Sequence, residues 1–120
     1  MTRVLVIDDD ASIREITQLA LESMGFDVRV AATGLHALES VAREPVDAIL
    51  LDVRMPLMDG AEFARRYRAR TERPAPIIIL TAARTAAPGQ DVFAGSRYVE
   101  KPFDLDDLAR VINEVVAQAA

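Results

Sequence analysis

Residues Ala48-Ile49-Leu50-Leu51 place four apolar side chains in succession and run straight into Asp52. No other stretch constrains the fold of this chain as strongly. A run that is apolar at every position, not every second one, reads as a strand buried on both faces. That is the usual state of a parallel-sheet strand covered by helices. Pro56 and Gly60 mark the loop that follows. The same grammar recurs three times: Val4-Leu5-Val6-Ile7 before Asp8-Asp9-Asp10, Ile77-Ile78-Ile79-Leu80 before Thr81, and Arg97-Tyr98-Val99-Glu100 before Lys101-Pro102. Parallel strands all end along one edge, and ligands bind there in open α/β sheets. The pattern therefore predicts that Asp8, Asp9, Asp52, Thr81 and Lys101 converge on a single rim.

Between the strands the chain reads as helices. Asp10 is the expected N-cap of a first helix with Ile13, Ile16, Ala20 and Met24 inward and Arg14, Glu15, Gln18 and Glu22 on the wet side, closed by Gly25. Phe26 to Val30 alternates apolar and polar residues, as an edge strand with one solvated face does. Thr33 caps a second helix carrying Ala37, Leu38 and Val41, which stops before Pro45. A third, from about Ala61 to Arg70, turns Phe63, Ala64 and Tyr67 inward and leaves Arg65, Arg66, Arg68 and Arg70 outside, most often a solvated arrangement. Asp104-Leu105-Asp106-Asp107 opens the last helix with acids at its positive end; Leu105, Leu108, Ile112, Val115 and Ala119 are its expected buried stripe.

The stretch from Ala82 to Ser96 fits the pattern least well. Parallel strands require a crossover there, yet Pro88-Gly89 interrupts it and Val92 and Phe93 are its few large apolar residues. The fourth helix of the pattern is accordingly expected to be short or irregular. The whole reads as βα repeated five times, an α/β doubly wound parallel sheet forming one domain over residues 1–120.

Composition removes several function classes. Hydrophobic residues at 51% and charged residues at 28% suit a globular protein, and a net charge of −5 argues against direct nucleic acid binding through a general basic surface. With no Cys there is no disulfide framework, thiol nucleophile or cysteine zinc site. No apolar run approaches the ~20 residues a bilayer span needs. Met1-Thr2-Arg3 leads directly into the first strand, which leaves no room for a signal peptide and makes the cytoplasm the expected location.

Three carboxylates on one rim repel one another unless a cation joins them. An oxygen-only site suits Mg²⁺, with Mn²⁺ the alternative. Lys101 brings a fixed positive charge and Thr81 a hydroxyl to the same place. A carboxylate nucleophile, a divalent cation and an ammonium are the parts that phosphoryl transfer uses. Plainer readings stand beside this one. Asp8 and Asp9 taken alone also fit a helix cap, Lys101 an exposed lysine, Tyr98 ordinary sheet packing, and Asp59 a turn before Gly60. His36, the sole histidine, has no second ligand near it in sequence.

Val6-Ile7-Asp8-Asp9-Asp10, Leu51-Asp52-Val53-Arg54-Met55-Pro56 with Asp59-Gly60, Leu80-Thr81-Ala82 and Tyr98-Val99-Glu100-Lys101-Pro102-Phe103, in that order, resemble the signatures of response regulator receiver domains over essentially the whole chain. The resemblance implies a flavodoxin-like five-stranded sheet in the order 2-1-3-4-5, an order known from chemotaxis receivers. It implies that Asp52 is the phosphoacceptor, Asp9 a direct metal ligand, Asp8 a ligand through water, and the Arg54 backbone carbonyl a further ligand. Lys101 would pair with the phosphoryl group ahead of a cis Pro102. Thr81 and Tyr98 would act as a coupled switch, and Arg54 and Ala83 would tune the phosphoryl lifetime. The implied partners are a histidine kinase or histidine phosphotransfer protein and an unnamed effector, with no membrane; oligomeric state stays open. The implied activity is self-catalysed phosphotransfer and autodephosphorylation, not turnover of a small substrate.

Two rivals remain at this level. One is a small aspartate-nucleophile phosphatase, against which stands Arg54 where such enzymes carry a second acid. The other is a pseudo-receiver that binds partners without phosphorylation.

Overall fold

A computed structural model of the chain describes residues 1–52, 57–81 and 96–119, including the side chains of all of these except 57–59 and 61. The described residues form the strands β1 (Arg3–Ile7), β2 (Asp27–Ala31), β3 (Ala48–Asp52), β4 (Ile77–Thr81) and β5 (Arg97–Glu100), of which β1, β3 and β4 are the aliphatic runs. They pair in parallel throughout, in the order β2-β1-β3-β4-β5. Among the described residues four helices accompany them: α1 (Ala11–Ser23), α2 (Gly34–Arg43), α3 (Leu57–Arg70) and α4 (Leu105–Ala119). The expected short or irregular helix between β4 and β5 lies outside the described residues.

The continuous apolar runs are buried for the reason anticipated. Successive side chains of a strand point to opposite faces, and here each face has its own cover. Leu5, Ile7, Ile49, Leu51, Ile77 and Ile79 pack with Ala37 and Leu38 of α2 and Phe63, Ala64 and Tyr67 of α3. Val4, Val6, Leu50, Ile78 and Leu80 pack with Leu21 of α1 and Leu108, Val111, Ile112 and Val115 of α4. Every residue of β3 and β4 is buried.

Helix boundaries follow local chemistry. Asp10 accepts from the Ser12 and Ile13 amides, Thr33 from His36, and Asp104 from Asp107. At the end of α1, Gly25 takes a positive φ of 96°. The Gly25 amide donates to the Glu22 carbonyl, and the Phe26 amide to that of Leu21. This is a Schellman ending, which only an αL residue completes without strain.

Three expectations need correction. Ile13, Ile16 and Met24 do not face the sheet: Ile16 is 63% exposed, and Leu19 beside it 59%. The buried residue of α1 is Leu21, which lies about 80° around the helix from Ile13 at 3.6 residues per turn. The docking of Leu21 with Phe26 against Val4 and Val28 sets the rotation of this helix, although the neighbours of Leu21 on its face, Arg14, Thr17 and Gln18, are polar. The third helix begins at Leu57, not near Ala61, so Asp59 and Gly60 are helical. Gly60 is thus a buried helical residue and not a turn, and a Cβ there would stand at ordinary contact distance, 3.6 Å, from a Leu51 methyl. The α4 stripe includes Val111, while Ala119 is exposed.

The edge strand β2 is charged where it meets water. Asp27 accepts from Arg3 and Arg29, and Arg29 also reaches Glu44. The Arg3 hydrogen bond, then that of Arg29, holds the Asp27 carboxyl below the usual carboxylate range. A carboxyl with a depressed folded pKa adds stability above its unfolded pKa, and that stability is lost as pH falls through the folded value. Asp27→Asn is therefore expected to lose this increment at neutral pH, to converge with the wild type in acid, and so to flatten the acid limb of a stability–pH profile. An acid limb as steep as that of the wild type would refute it.

Candidate functional site

Register brings the strand ends together. Ile7 is paired with Leu51, Asp52 with Leu80, and Thr81 with Glu100. Asp8 and Asp52 are thus neighbours past the ends of adjacent strands, and Thr81 and Lys101 follow along the same rim. Asp8 and Asp52 are each only 3% exposed, and Thr81 is buried beside them. Among the described residues no buried side-chain polar atom lacks a hydrogen-bond partner.

Lys101 closes this rim from the β5 side. Its amide donates to the Thr81 carbonyl at 2.8 Å, which anchors the backbone beyond β5. Its Nζ then donates to both carboxylate oxygens of Asp52, at 3.1 and 3.0 Å. The Lys101–Pro102 bond is cis. A buried carboxylate is tolerated when a cation and hydrogen bonds meet it, and Lys101 supplies both.

On the other side the chain turns from β1 into α1. The Asp8 amide donates to the Ala31 carbonyl at 3.1 Å, and Asp8 Oδ1 accepts from the Asp10 amide at 2.9 Å. Asp9 is exposed on this turn. Among the described residues no three His, Cys, Asp or Glu side chains are grouped as a metal would require. Asp8 and Asp52 are the buried members of the expected trio, and Asp9 is the solvent-exposed one. Past the strand end successive side chains still alternate, so that Asp8 turns inward and Asp9 outward. The donor chemistry nevertheless fits a hard divalent cation: carboxylate oxygens, no soft ligand, and one acid open to solvent.

Other expected residues fall as follows. Tyr98 is half-buried on β5 and packs against the Phe63–Tyr67 side of the core. His36 is exposed on α2. Arg54 and Ala83 lie outside the described residues. One residue escaped the sequence reading. Arg14, expected on the wet side, is half-buried and its Nη1 donates to the Asp8 carbonyl at 2.8 Å. The available signal was its place one turn beyond the cap, from which a long cation reaches back over the acid turn.

A doubly wound sheet whose rim gathers buried acids, a threonine and a lysine–carboxylate bridge defines a receiver-type domain. Residues 4–113 match the response regulator receiver domain family, and the chain belongs to it. Over 109 residues the chain is 41% identical to response regulator MprA of Mycobacterium leprae, an alignment covering 88% of this chain and 47% of that protein. A second MprA, from Mycobacterium ulcerans, is 40% identical over 109 residues, with 88% and 46% covered. The chain thus spans about half the length of these curated relatives. Among solved structures, the chemotaxis protein CheY4 of Vibrio cholerae superposes with a TM-score of 0.83 at 32% identity, covering 96% of this chain and 98% of that one. The receiver domain of the Francisella response regulator 1452 does so at 0.84 and 30%, with both chains fully covered. Receiver domains belong to two-component signalling and typically bind Mg²⁺, and they are generally not classed as enzymes. Among the described residues no helix is long and apolar enough to cross a membrane.

Proposed function

We propose that residues 1–120 form one phosphoacceptor receiver domain, which takes a phosphoryl group from a phosphohistidine donor onto Asp52. The observation that carries this reading is the Asp52 carboxylate, buried at a sheet rim and held at both oxygens by Lys101 Nζ at about 3 Å. A carboxylate oxygen of Asp52 attacks phosphorus, the P–N bond of the donor breaks, and the imidazole nitrogen leaves with its electron pair and is reprotonated. Asp9, Asp52 and the Arg54 carbonyl, with Asp8 through water, would hold Mg²⁺, which would supply charge neutralisation for the transferring oxygens. Lys101 then exchanges its carboxylate partner for a phosphoryl oxygen, and Thr81 donates its hydroxyl to another.

The switch follows from the same layout. Thr81 ends β4 next to β5, which carries Tyr98. As Thr81 moves toward the phosphoryl group, Tyr98 follows and the surface around β5 changes, a shift between two states of one fold. Arg54 and Ala83, two residues beyond Asp52 and Thr81, set how long the acyl phosphate lasts. The partners are a histidine kinase or phosphotransfer protein and a downstream effector, acting in the cytoplasm.

The test is direct. Incubation with acetyl phosphate and Mg²⁺ is expected to add one phosphoryl group by intact mass, and chelation of the metal to prevent it. Protein that stays unlabelled with Mg²⁺ present would overturn the reading.

A further inference from the structure

We infer that Arg14 is a positioning residue for the metal-binding acids, holding the turn Asp8-Asp9-Asp10 in the conformation that accepts a divalent cation. This rests on the phosphoacceptor reading above. Three consecutive acids repel one another, and a turn built from them needs restraints. The chain supplies them from its main chain. The Asp8 amide is fixed to Ala31, the Asp10 amide to Asp8 Oδ1, and the Asp10 side chain to the first amides of α1. The Asp8 carbonyl is restrained as well, since Arg14 Nη1 donates to it at 2.8 Å.

Arg14 is tied to this turn twice. Its own amide donates to the Asp10 carbonyl at 2.9 Å, while its guanidinium reaches back to Asp8. One residue therefore brackets all three acids, with a charge-assisted bond at the far end. It also places a positive charge beside them without pairing a carboxylate in the way that Lys101 pairs with Asp52. Outer partners of this kind orient metal ligands, and losing one lowers affinity about tenfold. A simple charge effect would act in the opposite direction, because removing a cation favours the arrival of another. The two accounts thus differ in sign.

Substitution here is clean. Arg14 lines an open cleft of about 360 Å³ with Val30, Ala31, His36 and Arg43, so that its truncation enlarges a solvent-filled space and not the core. The experiment titrates Mg²⁺ into the full chain by calorimetry for wild type, Arg14→Ala, Arg14→Lys and Arg43→Ala, with metal-free thermal midpoints alongside. Arg43 shares the cleft but, among the described residues, makes no bond to the acid turn. Arg14→Ala is expected to bind about tenfold more weakly, Arg14→Lys to recover part of the loss, and Arg43→Ala to match wild type. Arg14→Gln provides the same comparison should the alanine variant not fold. Affinity in Arg14→Ala equal to or tighter than wild type would overturn the inference, as would an equal loss in Arg43→Ala. A wild type that binds no Mg²⁺ would remove the phosphoacceptor reading as well, whereas unchanged binding in Arg14→Ala removes only this one.

Discussion

Asp52→Asn is expected to acquire no phosphoryl group from acetyl phosphate and Mg²⁺ under conditions that label the wild type fully. The amide has nearly the same shape as the carboxylate, so the buried end of β3 keeps its packing against Leu51 and Leu80. Its oxygen still accepts a hydrogen bond from Lys101. What disappears is the anionic oxygen that would form the bond to phosphorus, and no neighbouring acid has the same setting. Asp8 is buried but committed to the Asp10 amide, and Asp9 is exposed. The stability change is expected to stay within about 1 kcal/mol, because two effects oppose each other. Lys101 loses a charged partner, while Asp8 loses a charged neighbour. Intact mass after incubation, with a urea titration of the same sample, reads both quantities. Label on the folded variant would rule out Asp52 as the acceptor.

Much of this site was legible because its logic is that of strand ends. An apolar run with no polar alternation has to lie inside a covered parallel sheet, and whatever follows it has to lie on the ligand-binding edge. Asp8, Asp52 and Thr81 follow from that rule alone, while Lys101 follows Arg97-Tyr98-Val99-Glu100, an edge strand with charged ends. Helix caps were legible for a similarly local reason, since Asp10, Thr33, Asp104 and Gly25 each act on amides or carbonyls within a few residues. What spacing could not supply was the rotation of a helix against the sheet. Ile13 and Ile16 have the right period, yet the tertiary docking of α1 buries Leu21, whose neighbours on its own face are the polar Arg14, Thr17 and Gln18. The same limit hid Arg14. Its polarity suggested solvent, yet its length and its position over an acid-rich turn let it satisfy a main-chain carbonyl instead. Gly60 was misread for a related reason: a glycine after an acid resembles a turn, while here it lies buried inside α3.

Lys101→Met should destabilise the metal-free protein by on the order of 2–3 kcal/mol and slow phosphoryl uptake about a hundredfold. The Asp52 side chain is 2% exposed and that of Lys101 25%, so removing the amine leaves a carboxylate facing Asp8 across adjacent strand ends with little water to compensate. The cost falls below that of a fully buried broken pair, because solvent reaches the lysine side. Asp52→Asn should rescue most of this loss, since the double variant no longer buries the uncompensated charge. The non-additivity of the two substitutions measures the bridge itself. Added Mg²⁺ should stabilise Lys101→Met more than it stabilises wild type, because the ion meets a carboxylate that no ammonium already holds. The slower transfer has a separate origin, in that one fixed positive charge is missing where negative charge gathers on the phosphoryl oxygens. Urea midpoints for the four proteins with and without Mg²⁺, and labelling rates for the two with Asp52 intact, test these effects independently. Additive substitutions with an unchanged response to Mg²⁺ would mean that the Lys101–Asp52 contact carries neither stability nor competition with the metal.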